Sequence, residues 1–429
     1  MMKHRAATLI FAVFITAACS RTTASHSAGT SITTRKPDRV ITAQASSNSR
    51  NPTQKPTVTG STNFRFLTLQ MTDQVNGWGM AQKSGKTSGL FLIRTTDAGL
   101  QWLNVSPWGS SSSPANGATA FLNKDTAWVA VPDPALNLSA QGITLYHTND
   151  GGKSWHNLHV KTGFPNATAV FPVSFSFADT THGWLMVQSE RSISSSQGEL
   201  LTTVDGGQTW TVIANTYGSG GEPGSLPFAG DIRFIDPTTG WLTGGRVSSH
   251  GNLLYVTHDG GRTWQKVHVT VPQGRTQTSM TLTPPTFSGA RGILPVQFHG
   301  RGAATYLYIA QNGGSTWHYT QPVQSTFIDI IATNNVVALG GETLYHTTDE
   351  GNTWTFTEAS GDLPVLLSQE AANMDGITFS DAMDGWIYGT KPTHSSIAGL
   401  TAPETPFLVE TTDGGHTWSR LDTVVLSQR

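Results

Sequence analysis

The sequence predicts an all-β chain folded as a single seven-bladed β-propeller of four-stranded blades. Three observations predict it. An eight-residue phrase returns seven times: TTDAGLQW (Thr95 to Trp102), TNDGGKSW (Thr148 to Trp155), TVDGGQTW (Thr203 to Trp210), THDGGRTW (Thr257 to Trp264), AQNGGSTW (Ala310 to Trp317), TTDEGNTW (Thr347 to Trp354) and TTDGGHTW (Thr411 to Trp418). Its acidic or amide position (Asp97, Asp150, Asp205, Asp259, Asn312, Asp349, Asp413) recurs after 53, 55, 54, 53, 37 and 64 residues. A period near 50 means one supersecondary unit used repeatedly. Upstream of each phrase stands a Gly-Trp pair or its substitute, at Trp78, Trp128, Trp184, Trp241, Ile293, Val337 and Trp386. Immediately before each phrase runs an alternating apolar stretch such as LFLIRTT or NLLYVTH, the period of a strand bounded by Gly-rich turns.

The elements of one unit follow in order. A first strand, such as Val173 to Phe177, leads through a turn into the Gly-Trp strand; a loop leads to the alternating strand; the Asp phrase turns the chain into a fourth strand that begins at its Trp. We label these strands A to D. Four-stranded sheets repeated radially close into a ring, which protects their edges. No stretch beyond Ser61 keeps a helical period, so no helix longer than about two turns is expected. The short fifth spacing and the long sixth compensate, and the count of seven stands. A closed repeat is one domain, assigned to residues 62–429.

The Asp phrase has a mechanical reading. An Asp side chain accepts hydrogen bonds from backbone N–H groups a few residues on, and the paired glycines supply positive φ. The terminal Trp fills the space beneath the hairpin. Asn312 keeps an acceptor oxygen. The pattern resembles the Asp-box, or BNR, repeat, and seven copies in register make the match specific. These seven positions are therefore read as structural.

The N-terminus reads as an export signal. Lys3, His4 and Arg5 precede an apolar run, Ala6 to Ile15, and Thr16-Ala17-Ala18 precede Cys19, the only cysteine. Residues 1–18 form a signal peptide, too short to span a bilayer as a helix. Cys19 resembles the lipidated cysteine of bacterial lipoproteins, although Thr16 stands where that family prefers Leu; simple secretion after Ala18 is the alternative. One cysteine excludes an intrachain disulfide. Residues 19–61 are rich in Ser, Thr and Pro and read as a disordered tether. The tether carries six basic residues against Asp38. The remainder of the mature chain holds 18 basic and 27 acidic residues, net −9, which argues against nucleic acid as a partner. A basic leash beside an anionic bilayer fits a lipid-anchored protein at the cell surface or in the periplasm.

Phrases such as FADTTHGWLMVQ followed by LLTTVDGGQTW, and FSDAMDGWIYGT followed by FLVETTDGGHTW, resemble the photosystem II assembly and stability factors, over roughly residues 62 to 425. That resemblance implies a seven-bladed propeller serving as a non-catalytic, membrane-tethered platform for protein partners. The family's basic patch is missing from this acidic head, so the architecture and the platform are carried over, and the photosystem is not. The expectation is therefore a protein that is not an enzyme and holds an envelope or membrane protein. The alternative is a carbohydrate-binding or glycoside-hydrolase propeller, because Asp-boxes also occur in sialidases and xyloglucan hydrolases. Phe64-Arg65-Phe66-Leu67 resembles the opening phrase of sialidases but lacks its Pro. Glycoside cleavage needs two facing carboxylates. Asp231, Glu222, Glu358, Asp362 and Glu370 are loop candidates, and no recurring pattern singles one out.

Chain direction places the A–B turns and Asp phrases on one rim, and the B–C and D–A connections on the other. The second set holds most of the length variation, where binding residues concentrate. Trp108 is the one tryptophan outside the repeat; an exposed Trp anchors a protein or glycan partner, and packing across its own Gly-Ser loop is the alternative. Arg246, His250, His299 and Arg301 complete the candidate binding face. No histidine pair has a ligand spacing with a carboxylate and no phosphate loop follows a strand, so neither metal nor cofactor is expected.

Overall fold

A computed structural model describes residues 64–427, less 84–88, 110–112, 134–141, 165–168, 191–196, 218–222, 245, 248–253, 276–277, 301, 369, 371, 393–403 and 422–425. The signal peptide, Cys19 and the tether lie outside the described residues. Seven antiparallel sheets follow one another along the chain, each a meander of consecutive strands. The innermost strands are Phe64–Met71, Ala118–Phe121, Ala169–Phe177, Asp231–Phe234, Met280–Leu282 with Thr286–Ser288, Phe327–Ala332 and Asn373–Phe379. Innermost strands of several successive blades meet, as do those of blades 1 and 7. The predicted seven-bladed propeller is the observed fold. One short helix, Asp362–Ser368, interrupts the strands; Asp362 sits in its first turn and buries Leu363 and Leu366 beneath it.

The tryptophans of the Gly-Trp strands join the blades. Trp78, Trp128, Trp184 and Trp241 are buried. Each stacks on a phenylalanine at or next to the end of strand A of the next blade, at 5.6 Å (Phe121), 3.8 Å (Phe177), 3.7 Å (Phe234) and 5.4 Å (Phe287). Burying one indole removes roughly 200 Å² from water, about 5 kcal/mol before entropy is counted. The indole N–H also fastens the seam: Trp128, Trp184 and Trp386 donate to Gly206, Gly260 and Ala98 in the next blade's Asp phrase, at 3.3, 2.9 and 3.0 Å. The tryptophans that close the Asp phrases are less uniform than expected. Trp102, Trp317 and Trp418 are buried, whereas Trp155, Trp210, Trp264 and Trp354 are half-buried. They open strand D, the outer edge of each sheet, where one side meets water.

Two departures from regularity bear on function. The innermost strand of blade 5 is broken between Leu282 and Thr286 by Pro284 and Pro285, which have no N–H for the ladder. A short strand from the B–C connection of blade 4, Arg246–Val247, pairs with Met280–Thr281 on the axial side of blade 5. The ring closes without exchanging a whole strand. Arg65 in blade 1 makes a two-point ion pair with Asp375 in blade 7. Leu426–Ser427 adds in parallel to the outer strand of blade 1 at Trp102 and Leu103.

Candidate functional site

The Asp phrases are turns held from within. In the third copy Thr203 Oγ1 donates to Asp205 Oδ1 at 2.7 Å, and Gly207 N donates back to Thr203 Oγ1 at 2.9 Å. Thr209 donates through N–H to Oδ1 at 2.9 Å and through its hydroxyl to Oδ2 at 2.6 Å. Gly206 and Gly207 stand at φ +71° and +87°, left-handed values that favour glycine. The Thr209 hydroxyl, then its N–H, pulls Asp205 down to about 2. Asp97, Asp150, Asp259, Asp349 and Asp413 accept equivalent bonds. At Asn312 only the downstream half remains, from Thr316 N at 3.1 Å, because Ala310 supplies no hydroxyl. In the third copy the turn itself takes three of the carboxylate's roughly four acceptor sites.

Of the residues expected on the opposite rim, Trp108, Arg246 and His299 fall among the described residues. Trp108 is half-buried; its indole donates to Leu90 O at 2.9 Å and its ring meets Tyr146 edge-on at 5.7 Å. His299 Nε2 pairs with Thr281 Oγ1 at 2.7 Å. Arg246 is the Cα partner of that same Thr281. His250, Arg301 and Glu222 lie outside the described residues. Of the other loop carboxylates, Glu370 pairs with Lys391, Asp362 accepts from Arg420 N at 2.7 Å, and Glu358 accepts from Thr343. Among the described residues no group of three or more His, Cys, Asp or Glu side chains could hold a metal.

Asp231 differs from all of these. It opens the innermost strand of blade 4, at the rim where the D–A connection arrives. A side chain on the preceding Gly230 would collide with Thr243 O, so the approach to Asp231 is tightly packed. Its Oδ1 is sealed from water and has no hydrogen-bond partner. Burial alone pushes Asp231 up to about 6. The environment that strips its solvation disfavours the charged form and moves its ionisation toward neutrality.

A polar layer lies one step deeper. The residues opposite the Gly-Trp position in successive blades are Gln70, Ala120, Ser176, Arg233, Thr286, Asp329 and Thr378. Several reach across to the next blade: Ser176 Oγ accepts from Phe234 N at 2.8 Å, Asp329 Oδ2 accepts from Phe379 N at 2.6 Å, and Arg233 donates to Thr286. Burial pushes Asp329 up and Arg233 down, each opposed by the charge of the other. Asp231, Asp329 and Asp375 are the acidic residues of the described innermost strands. Sequence reading missed Arg233, Asp329 and Asp375. Aligning the seven stretches before the Gly-Trp pairs exposes the first two, as charges where other blades carry Ser, Ala, Thr or Gln. Buried Glu199, which accepts from Tyr217 and from Gly163 N at 2.9 and 3.0 Å, was missed too; it ties the blade 2 to blade 3 connection to the sheet.

The profile of the BNR/Asp-box repeat matches residues 255–266, within the fourth unit. The repeat is a BNR/Asp-box repeat. No curated protein matches the chain. Similar solved structures include a GH74 xyloglucanase from Xanthomonas campestris (14% identity, 84% of this chain and 56% of that one, TM-score 0.30). Others are an α-L-arabinofuranosidase from Fusarium graminearum (12%, 85% and 94%, 0.41) and prolyl oligopeptidase B from Galerina marginata (14%, 84% and 51%, 0.49). The chain spans a little over half the length of the GH74 enzymes it resembles. At these identities the likeness concerns the fold. It does correct two expectations. Propellers similar to this chain are named as glycoside hydrolases, so the non-catalytic protein platform and the statement that the chain is not an enzyme are withdrawn. The physical ground of the withdrawn expectation was that no loop carboxylate stood out in the sequence.

Proposed function

We propose that the head is a carbohydrate-active propeller of the glycoside-hydrolase class, working at the rim of the B–C and D–A connections. The observation that carries this reading is Asp231: a carboxyl at that rim, on an axial strand, whose ionisation is pushed up to about 6 by burial. Glycosidic cleavage needs one acid that donates to the leaving oxygen and one carboxylate on the other side of the scissile bond. Asp231 takes the first role. Asp329 and Asp375, the other axial carboxylates, are the choices for the second.

The test is turnover of xyloglucan, arabinosides and sialosides by the purified head, as wild type and as Asp231→Asn. Loss of a general acid costs about 10²–10⁴-fold in rate. Turnover that survives Asp231→Asn unchanged, or no turnover of any glycan, removes the reading. Asn variants at Asp329 and Asp375 then identify the partner.

We propose further that the chain is exported and held by a lipid at Cys19, with residues 19–61 as the leash. Only the motif before Cys19 and the composition of the leash support this. Cys19→Ala should move the protein from the detergent-soluble membrane fraction to the aqueous one, or leave it unprocessed. A wild type that is fully aqueous would mean plain secretion.

A further inference from the structure

Nine buried side-chain polar atoms among the described residues lack a hydrogen-bond partner, and four of the nine border the seam between blades 4 and 5. They are Asp231 Oδ1, Thr243 Oγ1 and Trp241 Nε1 on blade 4, and Trp317 Nε1, whose ring meets Trp241 edge-on at 5.7 Å. Orphaned polar atoms in a packed interior are uncommon, and they mark places where water is retained.

The repeat supplies its own control. In the preceding seam Ser174 occupies the position equivalent to Asp231, two residues before the partner of the Gly-Trp tryptophan. Ser174 Oγ accepts from Ile232 N at 3.1 Å, and Ile232 stands two residues before Phe234. Phe287 is the residue of blade 5 equivalent to Phe234, since each pairs with the glycine that opens strand B. Two residues before Phe287 is Pro285, which has no N–H. The donor that satisfies Ser174 therefore has no counterpart for Asp231. Asp231 and Thr243 are Cα partners in an antiparallel pair, so their side chains leave the same face about 5 Å apart. They make no direct hydrogen bond, and one water touching both would give each orphaned oxygen a partner.

We propose that a single buried water bridges the Asp231 carboxyl and the Thr243 hydroxyl, which makes Thr243 the positioning residue for the Asp231 proton. The proposal deepens the reading of Asp231 as the acid and rests on it for its use in turnover, though not for its test. With Asp231 protonated on Oδ2, the oxygen left to meet a leaving group, the water donates to Oδ1. Once the proton has gone to a leaving oxygen, the water donates to the carboxylate and the Thr243 hydroxyl accepts the other water proton. Both charge states then have a partner at the one place where the fold withholds a backbone donor.

The experiment follows the Asp231 carboxyl carbon by NMR across pH in wild type, Thr243→Val and Thr243→Ser, with Asp231→Asn to assign the signal. No glycan is present, so failure here is separate from failure of the hydrolase reading. Removing the hydroxyl should raise the pH of half-ionisation by about one unit, because the carboxylate loses a stabilising donor; Thr243→Ser should titrate as wild type. If Thr243→Val does not fold, Pro285→Ala serves: the restored N–H should displace the water and lower the titration point. A titration unmoved in every folded variant overturns the proposal. So does the absence of a long-lived water contact to Thr243 in the wild type.

Discussion

Asp231 and Asp205 are the same residue with opposite fates, and the difference lies in what faces each oxygen. Asp205 collects hydroxyl and N–H donors, which hold it down to about 2. Asp231 meets only burial, which holds it up to about 6. The consequences for stability run in opposite directions. The contribution of Asp205 is complete above the unfolded value near 3.9 and is lost as pH falls through about 2. That of Asp231 is complete below about 3.9 and is lost as pH rises through about 6. Asp231→Asn should therefore leave the unfolding midpoint nearly unchanged at pH 4 and raise it at pH 8. The two-unit displacement bounds the gain at roughly 3 kcal/mol. Thermal unfolding of both proteins at the two pH values checks this, and a difference independent of pH would mean that Asp231 ionises freely. A variant that gains stability while losing turnover is what a strained functional carboxyl produces.

At the scale of elements, the sequence carried the strands and withheld the site, for separable reasons. Every Gly-Trp strand and every Asp phrase sits where the periodicity placed it, because the turns and the strand alternation that set them are local to each unit, although the tryptophans then pack on the next blade. The interruption at Pro284-Pro285 was equally visible as letters. What it does was not, since it matters through the orphaning of Asp231 in another blade. The pairing of Arg246–Val247 with Met280–Thr281 likewise joins a blade 4 connection to blade 5, which no local pattern encodes. Trp108 had two readings from the sequence, an anchor or packing across its own loop. Outside the repeat it looked available as an anchor, yet its N–H is engaged by Leu90 and its ring by Tyr146. The short helix at Asp362–Ser368 escaped periodicity because seven residues hold barely two turns.

The whole molecule depends on joining its first blade to its last, and that joint can be tested at one residue. Trp386 of blade 7 donates to Ala98 O of blade 1 at 3.0 Å, and Gln74 of blade 1 donates to Asp381 and Asp384 of blade 7 at 3.1 and 2.8 Å. The charged link is Arg65 with Asp375, made through Nε at 3.0 Å and through Nη2. The arginine is 43% exposed and the aspartate 7%. The pair itself should add little, because water screens the arginine. Removing only Arg65 differs, since it strands a buried carboxylate. Discounted for the exposed partner, Arg65→Ala should cost about 1–3 kcal/mol, read as a lower denaturant midpoint. Arg65→Ala with Asp375→Ala should recover most of that loss, because the buried charge goes with its partner. Equal losses in the single and double variants would place the closure in the Trp386 and Gln74 contacts instead.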